Sequence, residues 1–249
     1  MRNILLHSHI FKNAGTTFDY ALEKYFKNDF VDHRDDKDII EGKGRYLLQY
    51  LRKNNQIKAL SSHSIHFHAV GNNEFNFYQI YFIRHPIERI MSVYNFEKKQ
   101  GSEVSLGGKM ANELNFNDYV KWRMRDDVPA TIRNCHTVFL SGNGPLVENI
   151  DEMFQSAKNF VENSKLVGIV DRFDESLRRF QSVLSHTFPN LNFDYEIKNV
   201  TNTSKERDVN KKAADVLNLL DEEVSKLVLE KNKYDIELYN IANKKLDDL

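Results

Sequence analysis

Short apolar runs alternate with segments of helical spacing along this chain, and that alternation restricts it to a sheet flanked by helices. Residues 4–11 (ILLHSHIF) read as a strand. The chain turns at Lys12 to Gly15, and residues 16–26 (TTFDYALEKYF) then take helical spacing through Phe18, Leu22 and Phe26. A second strand fits residues 57–62 (IKALSS) and a third residues 77–83 (FYQIYFI). Pro86 suits the first position of a helix, where its missing N–H costs nothing. LVGIV at 166–170 reads as a buried strand between a helix carrying Phe154, Ala157, Phe160 and Val161 and another carrying Phe173, Leu177, Phe180 and Leu184. The alternation predicts one α/β domain, residues 1–249, around a mainly parallel sheet.

Other stretches carry weaker signals. Residues 32–44 mix both charges with two glycines and read as a solvated loop before a short helix at about 45–54. Residues 101–113 (GSEVSLGGKMANE) hold three glycines without periodicity, which predicts a mobile loop. Two helices are expected at the end, the first with Val216, Leu217, Leu220, Val224 and Leu227 on one stripe, the second at about 233–246. No repeat, low-complexity tract or Pro-rich linker divides the chain.

Composition removes several function classes. A net charge of −1, with 41% hydrophobic and 29% charged residues, describes an ordinary soluble globular protein and argues against a nucleic-acid polymer as partner. The longest apolar runs fall far short of the roughly 20 residues a membrane span needs. MRNILLHSHIF lacks the long apolar core and cleavage site of a secretory signal, so a cytoplasmic chain is expected. The single cysteine, Cys135, permits neither an internal disulfide nor a cysteine-based zinc site and reads as packing.

Two stretches carry chemistry. In KNAGTT, a turn feeds a helix N-terminus, whose unpaired N–H groups and partial positive charge suit an oxyanion. Gly15 lets the backbone approach closely, Ala14 is small, Thr16 and Thr17 add hydroxyls, and Lys12 reaches the same anion. A plain strand-to-helix turn with Thr16 as cap uses the same residues. An ATP-type loop places its lysine after the last glycine, whereas Lys12 comes before Gly15. In IRHPIERIMS, Arg84 ends a strand and Ser92 lies six residues beyond Pro86, about 9 Å along the axis. An arginine fork and a hydroxyl so placed suit a phosphate monoester. An ion pair of Arg84 or Arg89 with Glu88 is the alternative.

Together these stretches resemble a known family. HIFKNAGTT is similar to the 5'-phosphosulfate loop of sulfotransferases, usually near HIPKTGGTT, and RHPIERIMSVY to their 3'-phosphate segment. NCHTVFLSG at 134–142, LVGIVDRFDESL and YDIELYNIA extend the resemblance over nearly the whole chain, toward the family-2 carbohydrate sulfotransferases that include heparan sulfate 2-O-sulfotransferase. The resemblance implies a P-loop-like nucleotide-binding fold and 3'-phosphoadenosine 5'-phosphosulfate (PAPS) as donor, with 3',5'-adenosine bisphosphate as product. It assigns Lys12, Asn13, Ala14, Gly15, Thr16 and Thr17 to the 5' end of the donor, and Arg84 and Ser92 to its 3'-phosphate. Phe11, Asn13, Ala14 and His136 depart from the usual proline, threonine, glycine and glutamine.

Sulfuryl transfer asks a protein to hold donor and acceptor in line and to stabilise charge on the leaving oxygen, which makes Lys12 the candidate for that charge. No metal is needed. A neutral histidine suits the general base. His63, directly after the second strand, aligns with a histidine of the resembled family, and His66 and His68 stand in reserve. A zinc site from these three lacks any cysteine or carboxylate. His7 and His9 alternate along the first strand, where packing is the simpler reading.

The expected acceptor is a small molecule or glycan, and Lys98, Lys99, Lys109, Arg123, Arg125 and Arg133 offer a basic surface to an acidic one. Lys205 and Arg207 lie in a segment where relatives close over the nucleotide, although a solvated charge cluster explains them better. A nucleotide or sugar kinase, or a non-catalytic nucleotide-binding protein, remains the alternative function.

Overall fold

The computed structural model describes residues 1–34, 36–142, 149–193 and 208–247. One sheet runs in the order β2 (Phe30–Asp32), β3 (Ala59–Ser62), β1 (Arg2–Ser8), β4 (Phe75–Ile83) and β5 (Val167–Ile169), and every neighbouring pair is parallel. In β1, Leu5 lies opposite Ala59 on one side and Tyr78 on the other. This central position explains why β1 is buried from Ile4 to Ser8.

Strand side chains alternate between faces, so β1 divides the core in two. Leu5 joins Ile80 and Phe82 against α1 (Gly15–Phe26) and α8 (Phe173–Leu184), through Phe18, Leu22 and Phe180. Ile4 and Leu6 meet α2 (Asp36–Lys53) through Ile39, Leu47 and Leu51. Farther along, Tyr81, Ile83 and Ile169 pack with α6 (Cys135–Leu140), α7 (Ile150–Asn163) and α11 (Lys233–Asp247). A fourth group of helices, α3 (Pro86–Gln100), α4 (Leu106–Glu113), α5 (Phe116–Arg123), α9 (Val209–Asn218) and α10 (Glu222–Lys231), shares Ile90, Val93, Tyr119, Val216 and Val228.

Four sequence expectations change. The short β2 escapes detection because three residues carry no alternation. Residues expected as a loop at 36–44 are the first half of α2, whose apolar stripe is sparse among charges and interrupted at Lys43, φ 46°. The glycine-rich loop expected at 101–113 contains α4, capped by Ser105 Oγ accepting from the Gly108 N–H at 3.0 Å. Its glycines serve close packing: a Cβ on Gly107 would lie 2.2 Å from Arg123 Nη2. The long stripe from Val216 to Leu227 is split between α9 and α10.

Among the described residues no helix is long and apolar enough to cross a membrane. Lys205, Arg207 and the sequons at Asn199 and Asn202 lie outside the described residues.

Candidate active site at the carboxyl edge of the sheet

The chain winds from β1 through β2 to β3 on one side, then crosses to β4 on the other. Such a switch leaves a crevice at the carboxyl ends of the strands, where open α/β sheets take ligands. Here the β1–α1 loop meets the end of β4. Lys12 and Ala14 both adopt left-handed conformations, φ 62° and φ 59°, on either side of Asn13. Alternating backbone of this kind turns successive N–H groups into one concavity, a nest for an anion. No side chain caps α1, and among the described residues nothing accepts from the amides of Ala14, Gly15 or Thr16. The amide of Thr17 is taken by the Ala14 carbonyl at 3.1 Å.

Gly15 is required by a neighbour rather than by its own dihedrals. A Cβ there would lie 2.0 Å from His9 Nε2, so the imidazole props the loop from beneath. The side chain of Asn13, 1% exposed, is fully committed. Its Nδ2 donates to the Phe82 carbonyl at 2.6 Å and to His136 Nε2 at 2.8 Å, and its Oδ1 accepts from Arg89 Nε at 3.1 Å. Arg89 only donates and the carbonyl only accepts, which fixes the amide orientation and makes His136 Nε2 an acceptor. The His136 proton therefore sits on Nδ1, 2.9 Å from Asp235 Oδ2. Asp235 also accepts from the amides of His136 and Thr137, both at 2.8 Å. Burial pushes the Asp235 carboxyl up, but attraction to His136 and these hydrogen bonds hold it below the usual carboxylate value.

Arg84 and Lys12 converge from two elements. Arg84 donates through Nε and Nη2 to Glu88 and through Nη1 to the Lys12 carbonyl at 3.1 Å, leaving one N–H on each Nη. The expected ion pair with Glu88 thus exists, and it orients the guanidinium toward the loop. Lys12 Nζ rests 4.6 Å from the centre of the Phe96 ring. Burial lowers the lysine pKa first, and the charges of Arg84, Arg89 and Lys99 lower it further. Ser92, half-buried, stands one turn beyond Glu88 and one turn before Phe96 on α3. Glu88 holds Arg84 and Phe96 carries Lys12, so the helix face bearing Ser92 is turned to the loop.

On the other side of β1, β3 delivers His63. Its Nδ1 donates to the His9 carbonyl at 2.7 Å, which leaves Nε2 with a lone pair. Burial, with repulsion from His9 and Arg34, pushes its pKa down to about 4. His66 Nε2 meets the His63 carbonyl at 2.8 Å and His68 Nε2 the Leu140 carbonyl at 2.8 Å, while their rings pack on Phe139 and Phe160. The two reserve histidines are turned to structural partners, and among the described residues their ring nitrogens form no three-ligand group with that of His63. Between α1 and the edge strand β2 lies a cleft of about 450 Å³ lined by Thr16, Asp19, Tyr20, Glu23, Asp32 and Arg34 among others.

The expected basic surface is not continuous. Arg123 is buried against Glu97 and Tyr119, whereas Lys109, Arg125 and Arg133 each pair with an acid, Glu113, Asp127 and Asp126. Sequence reasoning also missed Asp19, Glu88 as an orienting partner, Phe96 and Asp235. Of these, Asp19 left a trace: it is an acid on the buried stripe of α1, four residues past Gly15.

The sequence model of the sulfotransferase family matches residues 2–242, the loop, Arg84 and His63 included. The chain belongs to the sulfotransferase family. An uncharacterized protein of Archaeoglobus fulgidus is similar to it, 27% identical over 193 residues that cover 76% of each chain. As a sulfotransferase, this protein transfers a sulfuryl group.

Proposed function

We propose that this sulfotransferase takes PAPS as donor and passes its sulfuryl group, by in-line displacement, to a hydroxyl of a saccharide. The observation that carries the reading is the anion nest whose three amides at Ala14, Gly15 and Thr16 find no acceptor among the described residues, with Lys12 and Arg84 joined beside it. Those amides hold the 5'-phosphate, aided by the hydroxyls of Thr16 and Thr17. The remaining N–H groups of Arg84 and the Ser92 hydroxyl hold the 3'-phosphate, a group that ATP lacks. Lys12 swings from Phe96 to neutralise the leaving oxygen. His63 Nε2 takes the proton of the acceptor hydroxyl.

The acceptor side follows from topology. Since β3 and β4 flank β1, His63 and Arg84 stand on opposite sides of the loop, which leaves the His63 side to the acceptor. The cleft between α1 and β2, which Asp19 and Arg34 line, mixes acids, bases and the ring of Tyr20, a lining that suits a polyol better than a polyanion. Thermal shift tests the donor: 3',5'-adenosine bisphosphate is expected to raise the melting temperature and ATP with magnesium is not. The reverse result removes the reading. Labelled PAPS with a panel of neutral and acidic saccharides then tests the acceptor, and transfer only to acidic ones would refute the polyol assignment.

A further inference from the structure

His63 is the outer member of a stack. Its ring lies on His9 with centroids 3.9 Å apart, and its Nδ1 is held by the His9 backbone. His9 Nδ1 donates to Asp19 Oδ2 at 2.8 Å, and Asp19 Oδ1 takes the His7 Nδ1 at 2.6 Å. His7 Nδ1 is also 3.0 Å from Ser61 Oγ, which ties the arrangement to β3. Asp19 is 8% exposed, and both its oxygens are committed to imidazoles. No lysine or arginine pairs with it among the described residues.

Burial alone would disfavour this carboxylate, and the two imidazoles offset that cost. We propose that Asp19 is the positioning residue of the transfer reaction: it holds the His9 ring against which His63 packs, and it stabilises the imidazolium that forms on His63. The role rests on the sulfuryl-transfer reading given above. In the reaction, His63 Nε2 accepts the hydroxyl proton while the acceptor oxygen bonds to sulfur. The bond from sulfur to the bridging phosphate oxygen breaks, and Lys12 stands beside the oxygen that leaves with the bisphosphate.

The charges facing His63 come from three elements. His9 follows β1 and Arg34 follows β2, and both oppose a positive ring. Asp19 on α1 is the acid among them and favours it. Asp19 acts on His63 through the His9 ring that it holds and through its charge.

The test pairs an NMR titration of the His63 ring with steady-state kinetics on PAPS. In Asp19→Asn, His63 is expected to titrate at lower pH, and kcat to fall by about tenfold or more, while bisphosphate affinity and acceptor KM stay within about twofold. Asp19→Glu, which keeps the charge, should recover part of kcat. A folded Asp19→Asn with an unmoved His63 titration, or with wild-type kcat, overturns the proposal. Should Asp19→Asn fail to fold, His9→Phe keeps the ring stack and severs the link, and wild-type kcat in that variant overturns it equally. Wild-type protein that binds bisphosphate yet transfers nothing from PAPS would refute the sulfuryl-transfer reading instead, and the His63 titration would still decide the role of Asp19.

Discussion

Asn13 and His136, 123 positions apart, meet at 2.8 Å beneath the anion loop. Both depart from the residues usual in the blocks they resemble, and in this structure each is the other's partner. Asn13 spends every polar atom on Phe82, Arg89 and His136, and His136 passes the connection to Asp235 on α11. The loop is thereby fastened to β4, α3, α6 and the last helix at once.

Truncating either partner leaves buried groups without hydrogen bonds. Asn13→Ala is expected to cost roughly 2 to 4 kcal/mol, measured by urea denaturation. A double-mutant cycle with His136→Ala should give a coupling of about 1 kcal/mol or more. Strictly additive losses would show that the contact contributes nothing of its own.

Gly15→Ala places a methyl group 2.0 Å from His9 Nε2, closer than any real contact. Bisphosphate affinity should fall by at least about tenfold as the loop lifts, with a stability loss of roughly 1 to 3 kcal/mol. Gly15→Ala combined with His9→Ala frees the space and should recover stability, as melting curves would report. An innocuous Gly15→Ala would contradict the geometry.

Lys12 and Arg84 should separate in kinetics. Lys12→Ala is expected to lower kcat by about 100- to 1,000-fold with a much smaller change in bisphosphate affinity, since a charge that matters in the transition state has been removed. Arg84→Ala should act chiefly on bisphosphate binding, read by calorimetry. Equal affinity for wild type and Arg84→Ala would take Arg84 out of the nucleotide site.

Ala14 occupies a left-handed conformation, φ 59°, that a residue with a Cβ adopts at a cost. Ala14→Gly should therefore raise stability by up to about 1 kcal/mol without loss of bisphosphate binding. Denaturation midpoints for the two proteins decide it, and a lower midpoint for the glycine variant counts against strain at this position.

Stability should also depend on pH in a defined direction. His63 and His9 have folded-state pKa values below the ordinary value of about 6.5, so the unfolded chain takes up protons first as pH falls. Their contribution is complete above about pH 6.5 and declines toward pH 4, where His63 itself titrates. Asp19 is held far below the usual carboxylate range: burial opposes its charge, but His7 and His9 outweigh burial. Its contribution is lost only below about pH 4. The melting temperature should fall between pH 7 and pH 5, and less so in His63→Gln. A flat profile over that interval would contradict the assignment.

Local signals made much of the site legible before any contact was known. The β1 run, the KNAGTT turn, Pro86 at the start of α3 and the strand ending at Ile83 are encoded by period and turn chemistry within a few residues of one another. They place Lys12, His63 and Arg84 at the carboxyl ends of three strands, because parallel strands joined by helices bring those ends to one edge. The glycines of α4 misled because a glycine needed for close packing against Arg123 looks, in one dimension, like a glycine needed for a turn.

Partner choice had no such signal. Whether Arg84 would face Glu88 or solvent, whether His7 and His9 would pack inertly or share Asp19, and whether Asn13 would find His136 all depend on the register of strands and the rotation of helices. Those quantities are set by burial summed over the whole core, so they belong to no single stretch of sequence. The residue types announced an anion loop with a lysine and a histidine nearby, whereas the fold determined which carboxylate stands behind that histidine.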